Sequence, residues 1–203
     1  MSLICTICKD RGIVEIGAGN GQWARAITDY YVRQLDGNAT TNNRCQQQRP
    51  PNFEFVMTFD DCSSLPLSPA IYHNRTKPAR DHFYPNIRKA DYDTALSSLD
   101  TQNRVLLLVY PPPGPLASLT VKKYTSRRWN DIVIYVGEGR DGANADHSFF
   151  SMLEDESWIL LHFMDLPPSV GSKGYEKLYV FKKVHSSLSH DDFNMNQVLK
   201  YRN

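Results

Sequence analysis

Glu15 stands two residues ahead of three glycines in the run Ile13-Val14-Glu15-Ile16-Gly17-Ala18-Gly19-Asn20-Gly21. Glycines at alternate positions let the backbone take positive φ and lie close against a ligand with no Cβ in the way. A short apolar run ending in an acid and then in such a turn has the pattern of a strand entering a nucleotide-binding loop. Asp60 and Asp61 close a second apolar run, and a carboxylate at that place can accept the ribose hydroxyls of an adenosine moiety. Tyr110 opens Tyr110-Pro111-Pro112-Pro113, and Glu138 sits between Gly137 and Gly139. A phenol with an ordinary pKa of about 10 can orient a nucleophile or, strongly activated, act as a weak base. Glu138 either meets substrate or faces solvent from a tight turn.

Cys5 and Cys8 are spaced C-x-x-C, but a four-ligand zinc site would need Cys45, Cys62 or histidines as well. His147, His162, His185 and His190 fall on separate expected elements, so no metal is assigned. Two thiols packed ahead of the first strand in a reducing compartment is the simpler reading.

The elements that must position these residues follow from periodicity. Gln22 to Leu35 restarts at helical spacing with Trp23, Ala26, Ile27, Tyr30 and Tyr31. Phe53 to Phe59 is aromatic and β-branched and suits a second strand. A short segment around Ile87 precedes Asp91 and a helical stretch. Val105-Leu106-Leu107-Leu108-Val109 is continuously apolar, as a central parallel strand covered on both faces must be. Residues 115–128 can carry a helix, Ile132 to Val136 forms the next strand, and Asp146 caps a helix from His147 to Glu154. Trp158 to Met164 and Tyr175 to Val184 read as an antiparallel end to the sheet. The polar stretch 36–51 is expected as a surface loop, 62–86 as an irregular insertion and 186–203 as a polar tail, leaving 1–185 as one domain.

The turn Gly17-Ala18-Gly19-Asn20-Gly21 with Glu15 before it differs from the G-x-G-x-x-G dinucleotide fingerprint. It resembles motif I of the class I S-adenosylmethionine (SAM) dependent methyltransferases. Together with the strand ending in Tyr-Pro-Pro and with Tyr135-Val136-Gly137-Glu138-Gly139, it also resembles a group of uncharacterised SAM-methyltransferase-like proteins of microbes and unicellular eukaryotes. The resemblance implies a Rossmann-like α/β fold: a mostly parallel seven-stranded sheet, helices on both faces and a reversed final strand. It further implies SAM as cofactor, held by Glu15, Gly17, Ala18, Gly19, Gly21 and Asp60, with Asp61 the alternative ribose acid and Asp91 placed to contact adenine. Tyr110, Pro111 and Glu138 then lie on the acceptor side. Tyr110-Pro111-Pro112-Pro113 departs at both ends from the (Asn/Asp/Ser)-Pro-Pro-(Tyr/Phe) motif of amino-methylating enzymes, which argues against adenine, cytosine or glutamine acceptors.

The chain has 203 residues, 23 basic against 22 acidic, and a formal net charge of +1. No global field therefore draws it to nucleic acid or an anionic membrane, although the pairs Lys122-Lys123, Arg127-Arg128 and Lys182-Lys183 leave local contacts open. No apolar run reaches the roughly 20 residues of a membrane span, and the expected place is intracellular, cytoplasmic unless the N-terminus is incomplete. Little chain precedes the first strand, so a partner or second copy covering the cofactor cleft is one expectation. A non-catalytic methyltransferase-like interaction module is the rival function, and a nicotinamide-dependent oxidoreductase is a third.

Overall fold

A computed structural model of the chain describes residues 1–38, 53–63, 84–167 and 175–184. Of the expected loop 36–51, residues 36–38 are helical and 39–51 lie outside the described residues, as do most of the insertion 62–86 and the tail 186–203.

The chain opens with helix α1 (Ser2–Cys8), whose Ile4, Cys5 and Cys8 share one buried face. Strand β1 (Ile13–Ile16) leads through the glycine turn into α2 (Gln22–Asn38). Strands β2 (Val56–Asp60) and β3 (Ile87–Lys89) follow, then helix α3 (Tyr92–Ser97). Next come β4 (Val105–Val109), α4 (Leu116–Tyr124), β5 (Ile132–Gly137) and α5 (His147–Leu153). Strands β6 (Trp158–Asp165) and β7 (Lys177–Lys183) complete the described fold.

All seven strands form one sheet in the order β3-β2-β1-β4-β5-β7-β6. Neighbours pair in parallel from β3 through β5, whereas β7 runs antiparallel to both β5 and β6. The reversed final strand is thus inserted beside β5, with β6 outside it. Successive side chains of the central strands supply two cores, because strand residues alternate between faces. Val14, Leu106, Leu108, Val133 and Tyr135 pack with Tyr124 and Phe149 on one face. Ile13, Val105, Leu107, Ile134 and Val136 pack with Ile4, Cys8, Ala24 and Ile27 on the other. The uninterrupted apolar run of β4 serves both at once.

Several boundaries follow hydrogen bonding rather than composition. Helix α2 runs on past Leu35 to Asn38. Helix α4 stops at Tyr124, where the Thr125 hydroxyl donates to the Val121 carbonyl, well short of Arg128. Phe53 to Phe55 precede β2; the Glu54 carbonyl accepts from Arg104 Nη1 at 2.7 Å, while the Phe55 carbonyl accepts from the Ile13 N–H at 2.8 Å. Fully buried Tyr124 donates to the carbonyls of Arg104 (2.6 Å) and Ile132 (3.0 Å), tying the starts of β4 and β5 together. Asp146 caps α5 by accepting from the Phe149 N–H at 2.9 Å.

Candidate functional site

From β1 the chain steps outward to β2 and β3, then returns to the other side of β1 to continue with β4 and β5. In an open α/β sheet this reversal leaves a crevice at the carboxyl ends of β1 and β4, where ligands bind. The glycine turn stands at the end of β1, Asp60 at the end of β2, Tyr110 after β4 and Glu138 after β5.

Gly17, Gly19 and Gly21 have φ of 71°, 56° and 69°, all in the left-handed region. The Gly17 and Ala18 N–H groups both donate to the Phe59 carbonyl, at 2.9 and 3.1 Å, folding the turn back over β2. Gly19 N–H donates to Asp60 Oδ2 at 2.9 Å, while Asp60 Oδ1 accepts from the Cys62 N–H at 2.8 Å. The glycines divide their work. Among the described residues a Cβ at Gly17 would meet only Leu116 Cδ2, at 3.9 Å, so they leave its face of the turn open. A Cβ at Gly21 would fall 2.5 Å from Tyr84 Cβ and 3.3 Å from Ile87 Cδ1, so that glycine is required by packing.

Glu15 lies in the middle of the sheet, opposite Thr58 on β2 and Leu107 on β4, and is only 1% exposed. Its Oε2 is buried without a hydrogen-bond partner among the described residues. Burial first, and then the negative charge of Asp60, push its pKa up to about 8. At neutral pH this carboxyl is mostly protonated, a condition that a neighbouring cation would reverse.

The other acids have local partners. Asp61 Oδ1 accepts from the Ser63 N–H (2.9 Å) and hydroxyl (2.7 Å), which hold its carboxyl below the usual range. Asp91 caps α3 by accepting from the Thr94 N–H at 2.7 Å, with the same effect on its pKa. Glu138 Oε2 accepts from the Ala143 N–H at 2.7 Å inside its own loop. Asn144 joins that loop to β4, its Oδ1 accepting from Glu138 N–H and its Nδ2 donating to the Pro111 carbonyl.

Tyr110 takes φ of 47°, a costly conformation for a non-glycine residue and one that concentrates at functional sites. Its hydroxyl donates to Glu176 Oε2 at 3.0 Å, and burial followed by that bond pushes its pKa up to about 12. The phenol therefore stays protonated and acts as a donor. Glu176 was not among the residues the sequence singled out. A reversed β7 carries its leading end to the same edge as the end of β4, so the signal for this partner lies in strand direction.

Cys5 and Cys8 are buried in α1, and burial raises both thiol pKa values. Cys45 lies outside the described residues.

Sheet order, crossover and turn define a Rossmann-like α/β fold, mostly parallel with one reversed strand. No family model matches the chain, and no curated protein matches it. Among solved structures it is similar to a protein in the NADB-Rossmann superfamily from Streptococcus agalactiae, at 9% identity and a TM-score of 0.41 over 88% of this chain. The chain spans 64% of that protein's length. No helix among the described residues is long and apolar enough to cross a membrane.

Proposed function

We propose that this chain is a class I SAM-dependent methyltransferase, with its methyl acceptor docking beside Tyr110. The observation that carries the reading is the buried Glu15 carboxyl just ahead of the glycine turn, one oxygen of which lacks a partner among the described residues. An unsatisfied buried acceptor costs on the order of 1–3 kcal/mol, so its retention at a crevice calls for a ligand that repays it. The ammonium of the methionine moiety has the charge to do so, directly or through a bridging group.

The remaining residues fit the same ligand. The open face at Gly17, with Ala18 and Gly19, lets backbone approach it, and Gly21 holds the turn against Tyr84. Asp60, with Asp61 beside it, has the position and chemistry for ribose hydroxyls, and Asp91 stands beyond them at the start of α3. Strand order adds support. The dinucleotide-binding sheet runs 3-2-1-4-5-6, whereas here β7 separates β5 from β6 and is reversed, and a reversed final strand is what the methyltransferase resemblance implies.

SAM, when bound, supplies a methyl group on a sulfonium that an in-line nucleophile can take. Positioning and exclusion of water then supply much of the catalysis, so no conspicuous acid–base pair is needed. Tyr110, protonated and donating to Glu176, orients the acceptor by accepting a hydrogen bond from its N–H or O–H; Pro111 fixes the strand end, and Glu138 braces the loop on the far side.

Calorimetric titration of the purified chain with SAM, S-adenosylhomocysteine and NADH tests this. Saturable binding of the first two near one site per chain supports the reading. A response to NADH alone would replace it with the oxidoreductase, and no response to any of the three would favour the interaction module.

A further inference from the structure

Three basic pairs, Lys122-Lys123, Arg127-Arg128 and Lys182-Lys183, are gathered by the fold at the edge of the sheet opposite the crevice. Helix α4 runs back from the end of β4, so Lys122 and Lys123 occupy its last turn near the start of β5. Arg127 and Arg128 lie in the connection between the two. Antiparallel pairing then sets Lys182 against Ile132, and the Lys183 N–H donates to the Asp131 carbonyl at 2.7 Å. Lys122 and Lys183 line one hollow of about 580 Å³, together with Ser126, Asp155 and Trp158.

Much of this positive charge is left to solvent. Lys123 pairs with Asp93 at 2.7 Å, but Arg127 donates to the neutral carbonyls of Ser97 and Ser98, which leave its charge uncompensated. No acid among the described residues lies within ion-pair distance of Lys122, Arg128 or Lys183. Asp131 is bound to Arg11 at 2.7 Å, and Asp155, the acid of the hollow, accepts from the Ser157 N–H at 2.9 Å. Asp10 and Asp100 belong to the segments that enter β1 and β4, on the other side of β5 from β7.

Beside the basic pairs stands Trp129, 67% exposed. Its backbone is pinned: the Trp129 carbonyl accepts from Arg11 Nη2 at 2.6 Å, and the next residue, buried Asn130, accepts from the Asn103 N–H at 2.8 Å. The Arg128 guanidinium lies 5.3 Å from the indole centroid. An indole held outward on fixed backbone is a platform on which a planar base can stack, and covering it costs little further freedom. It is the only large apolar side chain between Tyr124 and Ile132, so this turn has no amphipathic face to insert into a lipid surface.

We propose that this edge binds single-stranded nucleic acid, with phosphates on Lys122, Arg128 and Lys183 and a base stacked on Trp129. A chain of net charge +1 concentrates uncompensated cations around one rigid aromatic, and a polyanion with planar bases complements both features at once. The inference does not rest on methyl transfer, because the crevice lies at the opposite edge of the sheet.

The test is fluorescence anisotropy of labelled oligouridine and oligothymidine of about 20 nucleotides, titrated with the full chain up to about 100 µM at several salt concentrations. The expected result is saturable binding of one or both strands, log affinity falling against log salt with a slope of about −2, as about three phosphate contacts require. A preference between the two strands identifies RNA or DNA as the source and supports the proposal either way. Lys122→Glu combined with Arg128→Glu, at two exposed positions, is expected to weaken binding at least about tenfold and to flatten the slope. Trp129→Ala is expected to weaken it at least about fivefold with the slope unchanged, and circular dichroism should be unaltered in both variants. On the wild type, bound oligomer should shield Lys122 and Lys183 from acetylation, a readout that no variant can confound. No saturable binding of either strand at about 50 mM salt, binding untouched by the variants, or unshielded lysines would each overturn the proposal. Binding to phosphatidylserine vesicles with none to either strand would replace it with a lipid surface.

Discussion

The backbone N–H of Gly19 donates to Oδ2 of Asp60 at 2.9 Å, joining residues 41 positions apart into one wall of the crevice. The other oxygen of Asp60 accepts from Cys62, so a single carboxylate sets both the glycine turn and the exit from β2. Asp60→Ala is expected to lower stability by about 1–2 kcal/mol and SAM affinity by at least about tenfold. Chemical denaturation and calorimetry on the same preparation measure the two effects.

Gly17 and Gly21 should respond differently to substitution although both have positive φ. Gly17→Arg enters space that the described residues leave open and is expected to abolish SAM binding at a stability cost of about 1–2 kcal/mol, from backbone strain. Gly21→Ala drives a Cβ into Tyr84 and is expected to destabilise the fold by more than Gly17→Ala does. Thermal melts of the two alanine variants check the order.

Tyr124→Phe removes one buried hydroxyl and leaves the Arg104 and Ile132 carbonyls short of a donor. A loss of about 1–3 kcal/mol is expected, with SAM affinity unchanged because the contact lies at the starts of β4 and β5, away from the crevice. Urea denaturation measures the first and calorimetry the second.

How far the sequence led depended on whether a feature was local. The run Val105 to Val109 announces a central strand because burial on both faces leaves no polar position, and Gly17, Gly19 and Gly21 announce the turn because left-handed backbone selects glycine. Asp146 declares its capping role by standing just before a helical stretch. The Tyr110–Glu176 bond spans 66 positions and exists only because β7 runs backward beside β5. Leu161, the extra residue of a β-bulge in β6, has no mark of it, since its neighbours are as apolar as it is; only the register with β7 reveals it. Helix α1 did leave a trace in Ile4, Cys5 and Cys8, but seven residues give too little periodicity to separate a helix from a packed segment. The same holds for the work of Gly21, visible only once Tyr84 and Ile87 are seen against it.

Glu15 gives the account its pH dependence. Its folded pKa of about 8 exceeds the ordinary 4.5, so between these values the folded chain keeps a proton the unfolded chain has lost. Stability is therefore expected to fall as pH rises through that window, and Glu15→Gln to flatten the dependence and gain on the order of a few kcal/mol by about pH 9. Denaturation series at several pH values measure this without any ligand.

The most direct test of the central claim is calorimetry of SAM binding to wild type and Glu15→Gln between about pH 6 and pH 9, in buffers of differing ionisation enthalpy. Affinity for wild type should rise with pH towards 8, with close to one proton released per SAM bound below that point, and Glu15→Gln should bind weakly with no proton release. Binding that is equally tight in both proteins and independent of pH would contradict the assignment of Glu15, and no SAM binding to the folded wild type would contradict the function.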